Sequence, residues 1–560
     1  MSLTSCFKYV IELPEDTLTS LLRSVIAQGE TSGLPLTYED DGVPVDDYTA
    51  RISASLVDTD AKPSTFNLTA AVNSAVLGLH MDIEVTINEL PGVDPIAYMA
   101  DFTIPGRIAR NDAVAPVQIE FQAAMLTVAD LNLVVSGGDI VVTGALFEPF
   151  VDQMYADSPS LRQQTIPGVD TVIDGIVLMR VWLYNDPVNG EIVVNVPSPG
   201  TLRLTMPGRI TMTNVSGAEI YNFTITLVID IDYVIEPSAS GGEEFVVKLS
   251  QILPGDVTVQ YGPGAPIYQA LMTGKIRTRI VAALTALPDP REPVPSSANV
   301  ESQIAVALVE FGSGLVVPLF PLDPTASDIP IATAEPTTVN AAILALQIES
   351  EPSEPCVGPD DFTAGSPVAI AMGAVEVQRR LDAVADDIDG QQIEASGYDV
   401  TLHRPNVSLA NAGDHGQAEG HIWVEGDVTI HVGGCVGDVG ADYSGPIMLD
   451  PVVNPDQSIG FTVRAGEFGG DADVKDKKDD FDPDKVAEFI EGWDFSFPTI
   501  PAVFDGVGTL TLSIDTSEIS QAGIVLRGGV SIQLLNMIAM GLMHQGSAFW
   551  AQEGADSGGG

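Results

Sequence analysis

The sequence predicts an α+β fold in which long amphipathic helices lie against strongly curved antiparallel sheets. Two observations carry that expectation. Long stretches alternate apolar and polar residues, as half-buried strands do, and a few segments repeat apolar residues at spacings of three and four, as helices do. The 53 glycines and 39 prolines add many turns between them.

Residues 366–387 show the change of period most clearly. Val368, Ile370 and Met372 alternate, and then Val377, Leu381, Val384 and Ile388 follow at four, three and four. At 100° per residue those four side chains fall within about 40° of one another, with Glu376, Gln378, Arg379 and Asp382 on the other side. A narrow apolar stripe needs a larger apolar surface to lie on. Alternating segments stand on both sides of it, at 341–348, 398–409 and 421–432.

Earlier in the chain, residues 7–13 read as a strand. Glu15 and Asp16 then open a helix with Leu18, Leu21, Leu22, Val25 and Ile26 on one face. Residues 31–47 are acidic and read as a loop. Ile52/Ala54/Leu56 and Met81/Ile83/Val85/Ile87 are strands with one wet face. An internal echo follows: Phe102-Thr-Ile-Pro-Gly-Arg-Ile108 recurs as Leu204-Thr-Met-Pro-Gly-Arg-Ile210, each expected to lead into a long strand, and Ser136-Gly-Gly138 recurs as Ser240-Gly-Gly242. The two offsets nearly agree, which points to a duplicated β-unit. Ile276, Ile280, Leu284 and Leu287 make a further helix, and Val300, Ile304, Leu308 and Phe311 another. Asp482 and Pro483 introduce a short helix as N-cap and first residue.

At 560 residues the chain is too long for one core. The expected division is an N-terminal module over 1–348, with the duplication at about 80–145 and 180–250 and a helical return at 272–312. A linker at 349–359, a C-terminal helix-plus-sheet module at 360–545 and a glycine-rich tail at 546–560 follow. Charge is the unusual feature: 24 Lys+Arg against 77 Asp+Glu leave −53. Such a surface repels nucleic acid and anionic membranes, and salt that screens its self-repulsion favours it, which fits a saline source. No basic segment followed by an apolar run opens the chain, and no apolar stretch is long enough for a membrane-spanning helix, so neither a secretory signal nor a transmembrane segment is expected. That leaves cytoplasmic residence and a non-classical export route both open. Asn67, Asn214, Asn222 and Asn406 form sequons that matter only in a secretory pathway. Cys6, Cys356 and Cys435 are too few and scattered for a disulfide framework and read as small hydrophobes.

No catalytic motif is specific enough to name an enzyme. Gly274-Lys275 lacks the remainder of a phosphate loop, and neither G-x-S-x-G nor H-E-x-x-H occurs. His403, His415, His421, His431 and Cys435 are close in sequence. With a two-residue hairpin between Trp423 and Val428, however, His421 and His431 would leave opposite faces of the sheet; a three-residue loop would reverse that, but solvated or strand-surface histidines are the expectation, and no metal is. The aspartates of residues 471–484 are interleaved with three lysines and lack the EF-hand pattern, so they read as a loop. Met537, Met540 and Met543 are adaptable apolar surface.

The unit Val368-Ala-Ile-Ala-Met-Gly-Ala-Val-Glu-Val-Gln-Arg-Arg-Leu381, followed by Tyr398-Asp-Val-Thr-Leu-His-Arg-Pro-Asn-Val-Ser-Leu409, resembles the recurring strand, helix and curved-sheet opening of the tubular lipid-binding (TULIP) superfamily. That superfamily includes bactericidal/permeability-increasing protein and its bacterial relatives, and the lipid-binding proteins of clostridial neurotoxin gene clusters. A weaker version runs from Phe7 to Gln28 and continues at Tyr48. The resemblance implies two such modules, each a helix wrapped by a curved sheet around an apolar groove that takes up lipid or another apolar ligand without cofactor or metal. The ligand-facing positions would be Val377, Leu381, Val384 and Ile388, with Leu18, Leu22 and Val25 in the first module. The basic membrane-facing surface of the bactericidal relatives is absent. The alternative is a structural or adhesive β-rich component of an appendage, virion or toxin complex, and a protein partner fits either reading.

Overall fold

The computed structural model describes residues 3–534 apart from 5, 32–36, 113–116, 171–175, 239–241, 266–268, 323–334, 351–359, 396, 433–436, 454–458, 473–481, 493–494, 497–502 and 505–507. Several sequence expectations fall outside them: the side chain of Val25, the second Ser-Gly-Gly mark, most of the acidic run, the three methionines and the tail. Among the described residues strands make up 53% and helices 23%, so the fold is mostly β with curled sheets. Every described strand pairing is antiparallel. The main helices are of ordinary length, 15 to 17 residues.

The organising element is a seven-stranded central sheet. Its order is Glu335–Val339, Ile343–Ser350, Phe7–Pro14, Val368–Gly373, Gly523–Leu534, Gly508–Ser520 and Val503–Phe504. Around the Ile11↔Ile370 pair at its middle the two halves repeat in mirrored order. Each half gives one early strand, followed in space by its own late hairpin. The helix starts repeat as well: Glu15 N–H donates to Ala342 O at 2.8 Å, and Ala374 N–H donates to Ala522 O at 3.0 Å. In both halves the first helical turn therefore hangs from the turn of that late hairpin, which satisfies one of its orphan donors.

The rest of the first half forms two eight-stranded sheets and the rest of the second half forms one. The Pro-Gly echo lies in the Ile96–Asn111 and Thr201–Asn214 strands, one in each sheet of the first half. At both places the partner strand on one side changes, from 134–137 to 118–123 in one copy and from 193–198 to 176–183 in the other. Proline has no N–H to give to a ladder, and the gap asks for none. The carbonyls of Pro105 and Pro207 accept from Ala124 N–H at 3.0 Å and Tyr184 N–H at 2.9 Å in the same way. The strands that follow differ, however. Val117–Ala123 has 7 residues and Glu219–Pro237 has 19, so only the second copy leads into a long strand.

Two local readings need correction. Residues 37–45, read as part of a loop, are a strand paired along its length with Tyr48–Val57 through a tight turn at Asp46, where φ is 53°. Tyr38, Val43 and Val45 face inward, and the acids that suggested a loop lie mostly on the wet face of this edge strand. Cys6 is disulfide-bonded and not a plain small hydrophobe; the other two cysteines, Cys356 and Cys435, lie outside the described residues. Disulfides persist in oxidising compartments. Alkylation of the denatured chain without reductant should therefore modify one of its three cysteines, and all three after reduction. Three adducts without reductant would show that Cys6 is free.

Candidate apolar ligand site

The Ala374–Ile388 helix lies over the third eight-stranded sheet. Val377, Leu381, Ala385 and Ile388 are buried on it and Val384 is half-buried. Ala385 joins the stripe that spacing had marked. Beneath Leu381 and Val384 stand Val407, Ile422, Ile447, Leu449 and Val463, drawn from four strands, and the void between them is about 10 Å³. That is at the lower limit of the roughly 10–15 Å³ that one water needs. Polar bonds close the edges of the seam. Gln378 Nε2 donates to Val407 O at 2.7 Å on one flank. On the other, Arg404 pairs with Asp386 and, at 3.8 Å, with Asp382.

In the first half, Leu18 and Leu22 of the Glu15–Thr31 helix are buried with Ile26, while Val25 takes its place in the helix only as backbone. Thr17 Oγ1 donates to Pro367 O at 2.7 Å and Glu15 Oε2 accepts from Leu68 N–H at 2.9 Å. These bonds place the first helix against both the chain entering the second half and a strand of its own sheet. The two sets of expected ligand-facing residues belong to separate helices and are not brought together.

Sequence reasoning placed Glu376 on the wet side of its helix, and the structure buries it at 2% exposure. Tyr9 Oη donates to Glu376 Oε1 at 2.7 Å, Arg379 Nε to Oε2 at 2.8 Å and Arg380 Nε to Oε1 at 3.0 Å, while Arg380 Nη2 donates to Tyr9 Oη at 3.1 Å. Burial alone would lift this carboxyl. The hydrogen bonds from Arg379 and Tyr9 and the charges of both arginines outweigh it and hold the group at about 2. The spacing of Arg379 and Arg380, three and four residues after Glu376, was the available signal. Because Tyr9 comes from the first half, the cluster fastens the seam to the central sheet.

The histidine expectation fails in its premise. His421–His431 is one continuous strand without a turn, so His421 and His431 stand at its two ends. His431 bonds to Thr401 and Asp438, and His403 to Thr429. Among the described residues no three such side chains converge to hold a metal ion. Two larger hollows exist, of about 790 Å³ beside Arg107, Arg110, Asp112 and Glu335 and about 620 Å³ beside Glu425, Asp427 and Asp442. Both are open and polar, so their size does not make them sites for an apolar molecule.

No protein-family model matches this chain, and no curated protein matches it. Among solved structures it is similar to a crystal structure of lipopolysaccharide binding protein, at 8% identity and a TM-score of 0.23, covering 94% of this chain and 99% of that one. A likeness of that size carries no argument about fold or ligand. Among the described residues no helix is long and apolar enough to cross a membrane.

Proposed function

We propose that the chain is a non-enzymatic binding protein for lipid or another apolar molecule, built as two helix-and-sheet modules joined through the central sheet. The observation that supports this reading is the chemistry of the seam under Leu381 and Val384, where every lining side chain is apolar. Such a lining offers nothing to activate a bond and suits retention of a hydrocarbon chain. A ligand would enter by lifting the Ala374–Ile388 helix. The Arg404 pairs on its flank are half-exposed, and such solvent-screened pairs hold the helix down only weakly.

The size of the void favours a second reading. A gap of about 10 Å³ is what a fully packed structural or adhesive β-rich component would show. Native mass spectrometry of the purified full chain separates the two, because a binding protein should carry mass in excess of its sequence. Leu381→Ala sharpens the test. In a packed core the lost methylenes should cost roughly 2–5 kcal/mol. Along a ligand groove the loss should be smaller in stripped protein and should appear as weaker lipid uptake. A full core-sized loss, with no lipid on either protein, would reject the binding reading.

A further inference from the structure

The face of the central sheet turned away from the helices carries a second, small core. Val10, Ala345, Ala369, Ala371 and Val525 pack there under Phe362, which is 5% exposed. Phe362 belongs to a short strap, residues 360–366, that folds back before the Val368–Gly373 strand. Ser366 N–H donates to Thr363 O at 2.8 Å, and Ala364 and Gly365 turn the chain at φ 46° and 85°.

In the middle of this apolar face stands Glu12, 0% exposed, with Ala345 and Ala369 as its neighbours across the sheet. One carboxyl oxygen accepts from Phe362 N–H at 2.8 Å, and the other has no hydrogen-bond partner among the described residues. From the far side Arg527 Nε donates to Phe362 O at 2.7 Å. Both of these bonds therefore converge on the backbone of one residue, Phe362, and one of them depends on a buried carboxyl. An ionised carboxylate in such surroundings, with half its acceptors empty, is far more expensive than a neutral acid, which leaves one polar group unpaired but buries no charge.

The charged groups around Glu12 do not relieve that cost. On the strap, Asp360 and Asp361 are exposed and repel the ionised form, and Asp361 Oδ1 already accepts from the N–H and hydroxyl of Thr363. From the Gly523–Leu534 strand, Arg527 attracts it but also pairs with Glu518 at 2.8 Å. On its own strand, Lys8 pairs with Glu349 of the neighbouring strand at 3.0 Å. The Val368–Gly373 strand sets only Ala369 opposite. Burial, opposed by the Phe362 N–H and by Arg527 and reinforced by Asp361 and Asp360, raises the group from 4.5 to about 8.

We propose that residues 360–366 form a proton-controlled clasp, closed on the central sheet while Glu12 is neutral and released when Glu12 gives its proton to water, baring the apolar face beneath Phe362. The inference stands apart from the ligand reading, since it concerns the opposite face of the sheet. Once the strap is open, water reaches the carboxylate and its ordinary acidity returns. The closed-to-open ratio should then fall about tenfold per pH unit between the two values.

Hydrogen exchange on the full chain tests this, comparing a peptide spanning the strap with one spanning Phe7–Pro14 between pH 5 and 8, after correction for intrinsic exchange rates. The expected result is a fall in strap protection of about a hundredfold or more, with the strand peptide steady. Glu12→Gln keeps an oxygen for Phe362 N–H but cannot ionise, so its strap protection should not vary with pH. If that variant does not fold, Glu12→Ala should give the same flat profile. A flat wild-type profile, an equal fall in either variant, or parallel loss in the strand peptide would overturn the clasp.

Discussion

Leu381→Asp is expected to unfold the Ala374–Ile388 helix and the sheet beneath it. Leu381 is 2% exposed and faces a seam with no polar side chain, so the new carboxylate would have neither water nor a donor. An unpaired buried charge costs several kcal/mol, against the roughly 5–15 that hold a domain together. Thermal melting should fall by about 10 °C or more, or the transition of this part should vanish. The matched control is Val375→Asp on the same helix. Val375 is 54% exposed in the first turn, where an acid is tolerated or favoured, so its effect should stay within about 0.5 kcal/mol. If the two variants melt within about 2 °C of each other, the helix does not pack as described.

What was legible in the sequence is what periodicity reports. Val377, Leu381 and Ile388 are buried because a stripe at helical spacing has to cover something, and the strands at 74–87 and 201–214 alternate because one face is wet. Facts set by distant partners were not legible. Glu376 looks like a surface acid on a helical wheel; Arg379 and Arg380 follow it at three and four, but Tyr9, which completes its set of donors, lies 367 residues away. Glu12 occupies the alternate face of a strand and is hidden by a strap that belongs to the other half of the chain. Gly426 was read as part of a turn, yet it sits mid-strand, where a Cβ would come within 2.5 Å of the Tyr443 hydroxyl oxygen. A glycine that makes room for a ring across the ladder and a glycine that makes a turn look the same in sequence. The closed seam was equally out of reach, because spacing gives the stripe but not the volume beneath it.

Glu376→Gln should cost roughly 3 kcal/mol at pH 7, and that difference should disappear in strong acid. The group lies at about 2 in the folded protein against an ordinary 4.5, and each unit is worth about 1.4 kcal/mol. Breaking a buried pair can cost about 3–5 kcal/mol, and the lower end is expected here because the Arg379 side chain is 63% exposed and rehydrates readily. A depressed folded value means stability that is present above 4.5 and lost as pH falls through about 2. Glu12 works the other way: its raised value gives stability that is full below 4.5 and lost as pH rises through about 8. Tyr9, which holds Glu376, and Glu12 point to opposite faces of the same Phe7–Pro14 strand, so one strand couples to both an acid-sensitive and an alkali-sensitive contact. Urea unfolding of each variant against wild type across pH 2.5–9 isolates them, because the other carboxylates cancel in the difference. The Glu376→Gln difference should shrink toward acid, and the Glu12→Gln difference should grow in favour of the variant toward alkali. A Glu376→Gln penalty as large at pH 2.5 as at pH 7 would mean that the carboxylate charge is not what holds Tyr9, Arg379 and Arg380 together.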